Sequence, residues 1–169
     1  HRLIEEFMIQ ANVAAAETLE KAKSPLVYRI HDQPSLAKLE ALREFLGSIE
    51  VSFPKAGNLR PSHFNAILSR LKTTQHGKVI HEVVLRTQSQ AEYSPENIGH
   101  FGLNLRRYAH FTSPIRRYAD LIVHRALIRA MKLGEGGLAV GIENELPVIA
   151  AEISAAERRA MAAERETID

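Results

Sequence analysis

Two adjacent arginines, Arg116 and Arg117, are the residues of this sequence best suited to chemistry on a phosphate group. They follow the run Thr112-Ser113-Pro114, in which a hydroxyl side chain can cap a helix and the proline suits its first turn. The pattern predicts a helix from about Pro114 to Leu133 with both arginines at its start. Cations there oppose the helix dipole at roughly 0.3–1 kcal/mol each. A bound phosphate would offset that cost, because guanidinium groups and free backbone N–H groups bind the same anion.

A structural explanation of the two arginines stays open. Either one could form an ion pair with Asp120, one helical turn further on, or extend into water. Beyond Tyr118, apolar residues surround most of the predicted helix, which indicates that it is buried in a larger body. A buried helix holds its N-terminus in a fixed place, and this favours a site there.

The run from Tyr108 to Leu127 resembles the signature of the RNB family, the catalytic domain of ribonuclease II and ribonuclease R. It reads Tyr-Ala-His-Phe-Thr-Ser-Pro-Ile-Arg-Arg-Tyr-Ala-Asp-Leu-Ile-Val-His-Arg-Ala-Leu. Three more segments resemble the family in the same order, residues 1–12, 93–103 and 154–169. The resemblance therefore spans the whole chain.

Proteins of this family hydrolyse RNA from its 3′ end to nucleoside 5′-monophosphates, with magnesium held by a cluster of aspartates. The resemblance implies this activity for a full-length protein in the cytoplasm, with a single-stranded RNA 3′ end as partner and neither a membrane nor a protein partner. Such catalysis requires several carboxylates that converge on one point. The sequence contains only three aspartates, Asp32, Asp120 and Asp169, without any Asp-x-Asp spacing.

We therefore expect the magnesium ligands to lie outside this chain, so that the chain itself holds no metal. The resemblance identifies residues 1–169 as the C-terminal portion of the RNB catalytic domain, without the upstream aspartate half and the flanking OB-fold domains. The first residue, His1, already belongs to a helical pattern, which also suggests that the chain was cut from a longer one. The isolated chain is expected to be inactive.

Carried over position by position, the resemblance implies that Arg116, or else Arg117, contacts the scissile phosphate and stabilises the transition state. It also places an acidic residue of the first helix near the RNA 3′ end, which makes Glu5 and Glu6 candidates, although a solvated helix face explains both equally well. The second set of candidates would bind RNA: Tyr118, Ser113, His110 and Arg107. A core or capping role accounts equally well for the first three of them.

Other function classes are limited by composition. The 169 residues carry a net charge of +2, so a polyanion must be met by a local arginine cluster. No cysteine is present, which excludes disulfides, thiolate metal sites and a cysteine nucleophile. No apolar run is long enough to span a bilayer.

Three alternatives remain. One is a non-catalytic RNA-binding module with Arg106, Arg107, Arg116 and Arg117 as its electrostatic footprint. Another is a zinc hydrolase built on three histidines whose spacing matches no usual ligand pattern: His100, His110 and His124. The last is a helical interaction domain, which would leave the arginine pair unexplained.

The elements that must position these residues form a mixed α/β, predominantly helical fold. Apolar spacing predicts helices at Arg2 to about Ala22, at 36–47 behind a Ser35 cap, at Pro61 to Leu71, at Pro114 to Leu133, and from about Leu146 to the C-terminus. The spacing in Val79 to Thr87 fits a strand as well as a helix, and the resemblance to the RNB family implies a helix there. Alternating apolar and polar residues predict a short strand around 100–108. An extended stretch is expected at 25–31, and loops at 51–59 and 93–99.

Overall fold

The computed structural model describes residues 1–55, 59–74 and 76–168. Most of these residues are helical, and two short strands form the sheet. The helices are α1 (Arg2–Lys21), α2 (Leu36–Ser48), α3 (Pro61–Leu71), α4 (Gly77–Thr87), α5 (Tyr118–Met131) and α6 (Leu146–Ile168), with a 3-10 turn at Ile142–Asn144. The strands β1 (Tyr28–Ile30) and β2 (Glu92–Ser94) pair antiparallel, with Tyr28 opposite Ser94. The predicted mixed, mainly helical fold is confirmed.

The chain folds into two compact units. The first contains His1–Ile30, Ala91–Gly99 and the chain from Arg106 onward, and therefore holds α1, β1, β2, α5 and α6. The second contains His31–Gln90 and His100–Leu105, and holds α2, α3 and α4. Each unit buries its own apolar cluster.

The core of the first unit forms where α1 and α5 pack together and where α6 packs on β2. This core contains small side chains from both helices, since Ala16 of α1 and Ala126 of α5 are both completely buried. Leu19 and Val123 fill the space beside them. The first ten residues of the chain contribute little to this core, since nearly all of them are exposed.

The core of the second unit is formed by leucine, isoleucine and phenylalanine side chains of its three helices. Leu42 and Leu46 of α2 and Ile80 of α4 are fully buried, and Phe64 of α3 packs against them. Ser35 caps α2 as predicted, because its hydroxyl accepts a hydrogen bond from the Lys38 N–H at 3.4 Å.

The predicted helices at the positions of α1, α2, α3, α4 and α6 are confirmed to within two residues at the ends that were given. Residues 51–55 and 59 form no helix or strand, in agreement with the predicted loop, whose residues 56–58 lie outside the described residues. The extended stretch at 25–31 contains β1, whereas the loop predicted at 93–99 begins inside β2.

The start of α5 was predicted wrongly, since the helix begins at Tyr118 and not at Pro114. Residues 113–117 form a turn instead, in which the Ser113 carbonyl accepts the N–H groups of Arg116 and Arg117 at 3.3 and 3.2 Å. Arg117 has extended backbone angles, φ −126° and ψ 120°, which interrupt the helix before Tyr118. The helix ends at Met131 because Lys132 adopts a left-handed conformation with φ 55°.

The strand predicted around 100–108 is also wrong. His100 and Leu105 exchange two backbone hydrogen bonds, of 2.9 and 3.1 Å, across a turn formed by residues 101–104. Within it, Asn104 has φ 54°, and a Cβ at Gly102 would lie 2.8 Å from the His31 ring. The alternation of apolar residues was therefore coincidental, because turn geometry at these two positions determines the local structure.

Candidate phosphate site at the start of helix α5

The segment Tyr108–Arg117, here called the arginine loop, has no regular secondary structure and leads into α5. A buried asparagine of α1 holds its first half. The Asn12 amide donates to the Tyr108 hydroxyl at 2.9 Å, and its carbonyl accepts the Phe111 N–H at 2.8 Å. The Arg29 N–H, on β1, donates to the Tyr108 carbonyl at 2.9 Å. The loop is therefore tied to both α1 and the sheet.

Two side chains of α5 hold the second half of the arginine loop. His124 lies 2.8 Å from the Phe111 carbonyl through Nε2, and its ring stacks on the Phe111 ring with centroids 4.4 Å apart. The Asp120 carboxylate accepts the Ser113 N–H at 2.8 Å. Polar contacts thus reach the loop from α1, β1 and α5, and they fix backbone that no helix or sheet supports.

Arg117 is committed to a structural ion pair. Its Nε and one terminal nitrogen each lie 2.8 Å from a different oxygen of Asp120, in a two-pronged arrangement. The Asp120 side chain is completely buried, and the Arg117 side chain is 19% exposed. This arrangement matches the structural alternative for Arg117, and it places a carboxylate in the first turn of α5, where the helix dipole favours negative charge.

Arg116 has opposite surroundings. Its side chain is exposed, and no carboxylate in the described part of the chain lies within 4.0 Å of its guanidinium. Its neighbour Ile115 is fully exposed as well. The turn at 113–117 therefore directs one arginine into the protein and leaves the other available to a ligand.

The predicted RNA-binding residues nearest to these arginines have different environments. Tyr118 is the first residue of α5, and its ring is half exposed. Ser113 contributes backbone hydrogen bonds within the turn and does not cap the helix. His110 is partly buried against the rings of Tyr93 and Tyr108, and its Nδ1 lies 2.9 Å from the Tyr93 hydroxyl. Burial raises the pKa of Tyr93, so this hydroxyl keeps its proton.

Arg107 is engaged with α1. Its Nε lies 3.2 Å from a carboxylate oxygen of Glu20, and a terminal nitrogen lies 3.8 Å from Glu17. Glu20 also accepts the Tyr28 hydroxyl at 3.0 Å. Burial and then the hydrogen bond to Glu20 raise the pKa of Tyr28 to about 12. Arg107 thus takes part in a partly exposed network between α1 and β1.

Glu5 and Glu6 are exposed on the first turns of α1. The structure does not bring either carboxylate within 4.0 Å of Arg116, or of any other cation among the described residues. The apolar side chains around them are exposed too, including Ile4 at 63% and Phe7 at 67%. This end of α1 therefore forms an open surface with both acidic and apolar groups.

No group of three or more histidine, aspartate or glutamate side chains that could hold a metal ion occurs within 1–55, 59–74 and 76–168. Asp120 is occupied by Arg117 and Ser113, and Asp169 lies outside the described residues. His110 and His124 each have a protein hydrogen-bond partner. The zinc hydrolase alternative receives no support from this geometry.

Within residues 1–55, 59–74 and 76–168, no helix is long and apolar enough to cross a membrane.

The role of Asn12 was missed by sequence reasoning. A signal was available, because Asn12 has helical spacing to Ala15, Ala16 and Leu19, which form the buried face of α1. A polar side chain on a buried helix face needs hydrogen-bond partners. The partners themselves lie about a hundred residues further along the chain, and no local pattern identifies them.

A family model described as the RNB domain matches residues 1–132 of the chain. Ribonuclease R of Escherichia coli (strain K12) is 40% identical over 178 residues, covering 100% of this chain and 22% of that protein. Ribonuclease R of Aquifex aeolicus is 40% identical over 172 residues, covering 100% of this chain and 24% of that protein. The chain thus spans less than a quarter of the length of these two relatives.

A solved structure of Mycoplasma genitalium RNase R in complex with double-stranded RNA has the same fold. It matches with a TM-score of 0.84 and 31% sequence identity, over 96% of this chain and 30% of that one.

Proposed function

Since this chain belongs to the RNB family, we propose that it forms part of a hydrolytic exoribonuclease that degrades RNA from its 3′ end to nucleoside 5′-monophosphates. The family is established by the match over residues 1–132 and agrees with the fold likeness to an RNase R solved with RNA. The activity belongs to the proposal, because this chain spans only about a fifth of the E. coli relative.

The observation that carries the proposal is the contrast between the two arginines. Arg117 is neutralised by a buried carboxylate, whereas Arg116 is exposed and has no ion pair among the described residues. An unpaired guanidinium on a fixed backbone can donate two parallel hydrogen bonds to a phosphate. We assign the contact with the scissile phosphate to Arg116, and Arg117 then has a structural role.

In this role Arg116 stabilises negative charge in the transition state. When water attacks the terminal phosphodiester, negative charge develops on the non-bridging oxygens, and a guanidinium already in place stabilises it. Removing one such donor typically costs about 100- to 1000-fold in rate. Neither proton transfer nor metal binding is required of Arg116, since an arginine stays protonated at all accessible pH values.

Magnesium, which the family's chemistry uses, does not fit the described residues, because they offer no cluster of carboxylates. We therefore propose that its ligands lie in another part of a longer protein and that this chain is the C-terminal portion of the catalytic domain. The RNA partner would enter with a single-stranded 3′ end near Arg116, and Tyr118, beside it at the start of α5, is the nearest candidate for stacking on a base. A cytoplasmic location belongs to the same proposal.

The test compares two arginine variants of the full-length protein that contains this chain. Arg116→Ala removes the proposed phosphate contact, and Arg70→Ala removes an exposed arginine of α3 as the matched control. The measurement is magnesium-dependent release of nucleoside monophosphates from a 3′-tailed RNA. We expect a loss of about 100-fold or more for Arg116→Ala and an unchanged rate for Arg70→Ala. Equal rates for the two variants would remove Arg116 from the mechanism.

The same assay, together with a measurement of RNA binding at several salt concentrations, tests the non-catalytic alternative. A full-length protein that binds the RNA in a salt-dependent way and releases no nucleotides would be an RNA-binding module with an RNB fold.

A further inference from the structure

We infer that Asp120 is a positioning residue, whose buried carboxylate fixes the backbone from which Arg116 extends. The inference rests on the proposed function, because it assigns to Asp120 an effect on the rate that passes through Arg116. Asp120 itself is completely buried and reaches no solvent.

The geometry forms a closed set of contacts around Arg116. On one side, Asp120 accepts the Ser113 N–H at 2.8 Å, and the Ser113 carbonyl accepts the Arg116 N–H at 3.3 Å. On the other side, Asp120 holds the Arg117 guanidinium at 2.8 Å through both oxygens. Ser113, two residues before the exposed Ile115, and Arg117, directly after Arg116, are therefore anchored to the same carboxylate.

The Arg116 side chain has no anchor of its own in the described part of the chain. Its position relative to a bound phosphate therefore depends on its backbone. A displacement of about 1 Å at a catalytic group can lower a rate about 100-fold. A buried carboxylate that fixes this turn would thus affect the rate without touching the RNA.

The test is a double-mutant cycle in the full-length protein, measured under single-turnover conditions with excess enzyme so that slow rates remain accessible. Asp120→Asn keeps the shape of the side chain and one acceptor but removes the charge that holds Arg117. We expect it to lower the cleavage rate about 10- to 100-fold, with little change in the RNA concentration needed for half-saturation. In the Arg116→Ala background the same substitution should change the rate less than about twofold, because the group it positions is gone.

A role in general stability would give a different result, since Asp120→Asn would then lower the rate by the same factor in both backgrounds. That additivity would overturn the inference, and so would full activity of Asp120→Asn. Arg117→Lys provides a second route if Asp120→Asn does not fold, because it keeps the charge and loses the two-pronged geometry. It should show the same dependence on Arg116.

The cycle also separates this inference from the proposed function. If Arg116→Ala alone leaves the rate unchanged, the proposed role of Arg116 fails, and the positioning role fails with it. If Arg116→Ala lowers the rate and the cycle is additive, only the role of Asp120 fails.

Discussion

Arg116 and Arg117 are chemically identical neighbours, and the difference between them comes from one carboxylate. Asp120 lies one helical turn after Arg117, in reach of its guanidinium, and the extended backbone of Arg117 directs that side chain toward α5. Arg116 lies one residue earlier in the turn and extends to solvent. Two adjacent arginines in sequence can therefore have different environments, one in a buried ion pair and the other exposed.

The contrast predicts opposite effects on stability. Arg117→Ala leaves the buried Asp120 carboxylate with the Ser113 N–H alone, and removing one partner of a buried ion pair costs about 3–5 kcal/mol. We expect Arg117→Ala to lower the free energy of unfolding by about 3 kcal/mol. Arg116→Ala, with the same change in charge, should stay within about 0.5 kcal/mol.

Urea unfolding of this chain measures both variants. The four tyrosines all lie in the first unit and the sequence has no tryptophan, so intrinsic fluorescence reports on that unit: Tyr28, Tyr93, Tyr108 and Tyr118. Similar losses of stability in Arg116→Ala and Arg117→Ala would contradict the assignment of separate roles.

The raised pKa of Tyr28, also a property of one residue, predicts how the stability of the fold depends on pH. Its pKa is about 12 in the folded chain and 10.0 ordinarily. Between these values the unfolded chain has released the phenolic proton and the folded chain still holds it. The free energy of unfolding must therefore fall as the pH rises from 10 to 12.

Tyr28→Phe removes this titration, so its stability should decline less steeply over that range than that of the unsubstituted chain. Gln10→Ala, at an exposed position without a titratable group, serves as the control and should keep the original slope. If the free energy of unfolding declined with pH at the same rate in Tyr28→Phe and in the unsubstituted chain, the pKa of Tyr28 would not be raised by folding.

At the level of elements, the sequence predicted what depends on local periodicity. The apolar spacing of α1 to α3 and α6 repeats over three turns or more, and those helices are where they were expected. The segment of α4 fits a strand as well as a helix by its spacing, and it was expected to be helical because of the family resemblance. The start of α5 was misplaced because Ser113 and Pro114 resemble a cap, whereas the Ser113 N–H is taken by Asp120 within a turn. Contacts of this kind compete with helix initiation, and residue types alone do not show which one wins.

The candidate site was predictable in part for the same reason. Arg116 could be named from the motif, but the absence of an ion pair with it among the described residues depends on where Asp120 and Arg117 point. The anchors of the arginine loop come from α1, β1 and α5, and the contact between Asn12 and Phe111 joins residues 99 positions apart. Long-range contacts of this kind follow from the packing of α1 on α5, which helical periodicity does not specify.

The prediction at the level of elements concerns Asn12, which connects α1 to the arginine loop. Asn12→Ala removes the acceptor of the partly buried Phe111 N–H, and a donor left unsatisfied away from water costs about 1–3 kcal/mol. We expect a loss of about 2 kcal/mol in the urea unfolding of the first unit. Gln10→Ala, at an exposed position of the same helix, should change stability by less than about 0.5 kcal/mol. Equal effects would mean that Asn12 does not tie α1 to the arginine loop.

For the molecule as a whole, the distribution of charge matters more than its total. The net charge is only +2, yet Arg116 is left without an acidic partner among the described residues while Arg107 and Arg117 are paired. The described carboxylates serve such ion pairs or lie apart on the surface, and they form no metal site. Among the described residues, the chain therefore has an exposed arginine without an acidic partner and no group of three or more side chains that could hold a metal ion.

The lack of a metal-binding group among the described residues predicts how the isolated chain responds to magnesium. A ligand that binds only the folded state at a concentration about 100 times its Kd stabilises that state by about 2.7 kcal/mol. The described residues provide no group of three or more side chains that could hold a metal ion. We expect millimolar magnesium chloride to leave the Tm unchanged relative to potassium chloride of equal ionic strength, and 3′-tailed RNA to stay intact. A saturable rise in Tm or magnesium-dependent release of nucleotides would show that this chain carries its own metal site, and the proposal that the ligands come from another part of the protein would then be wrong.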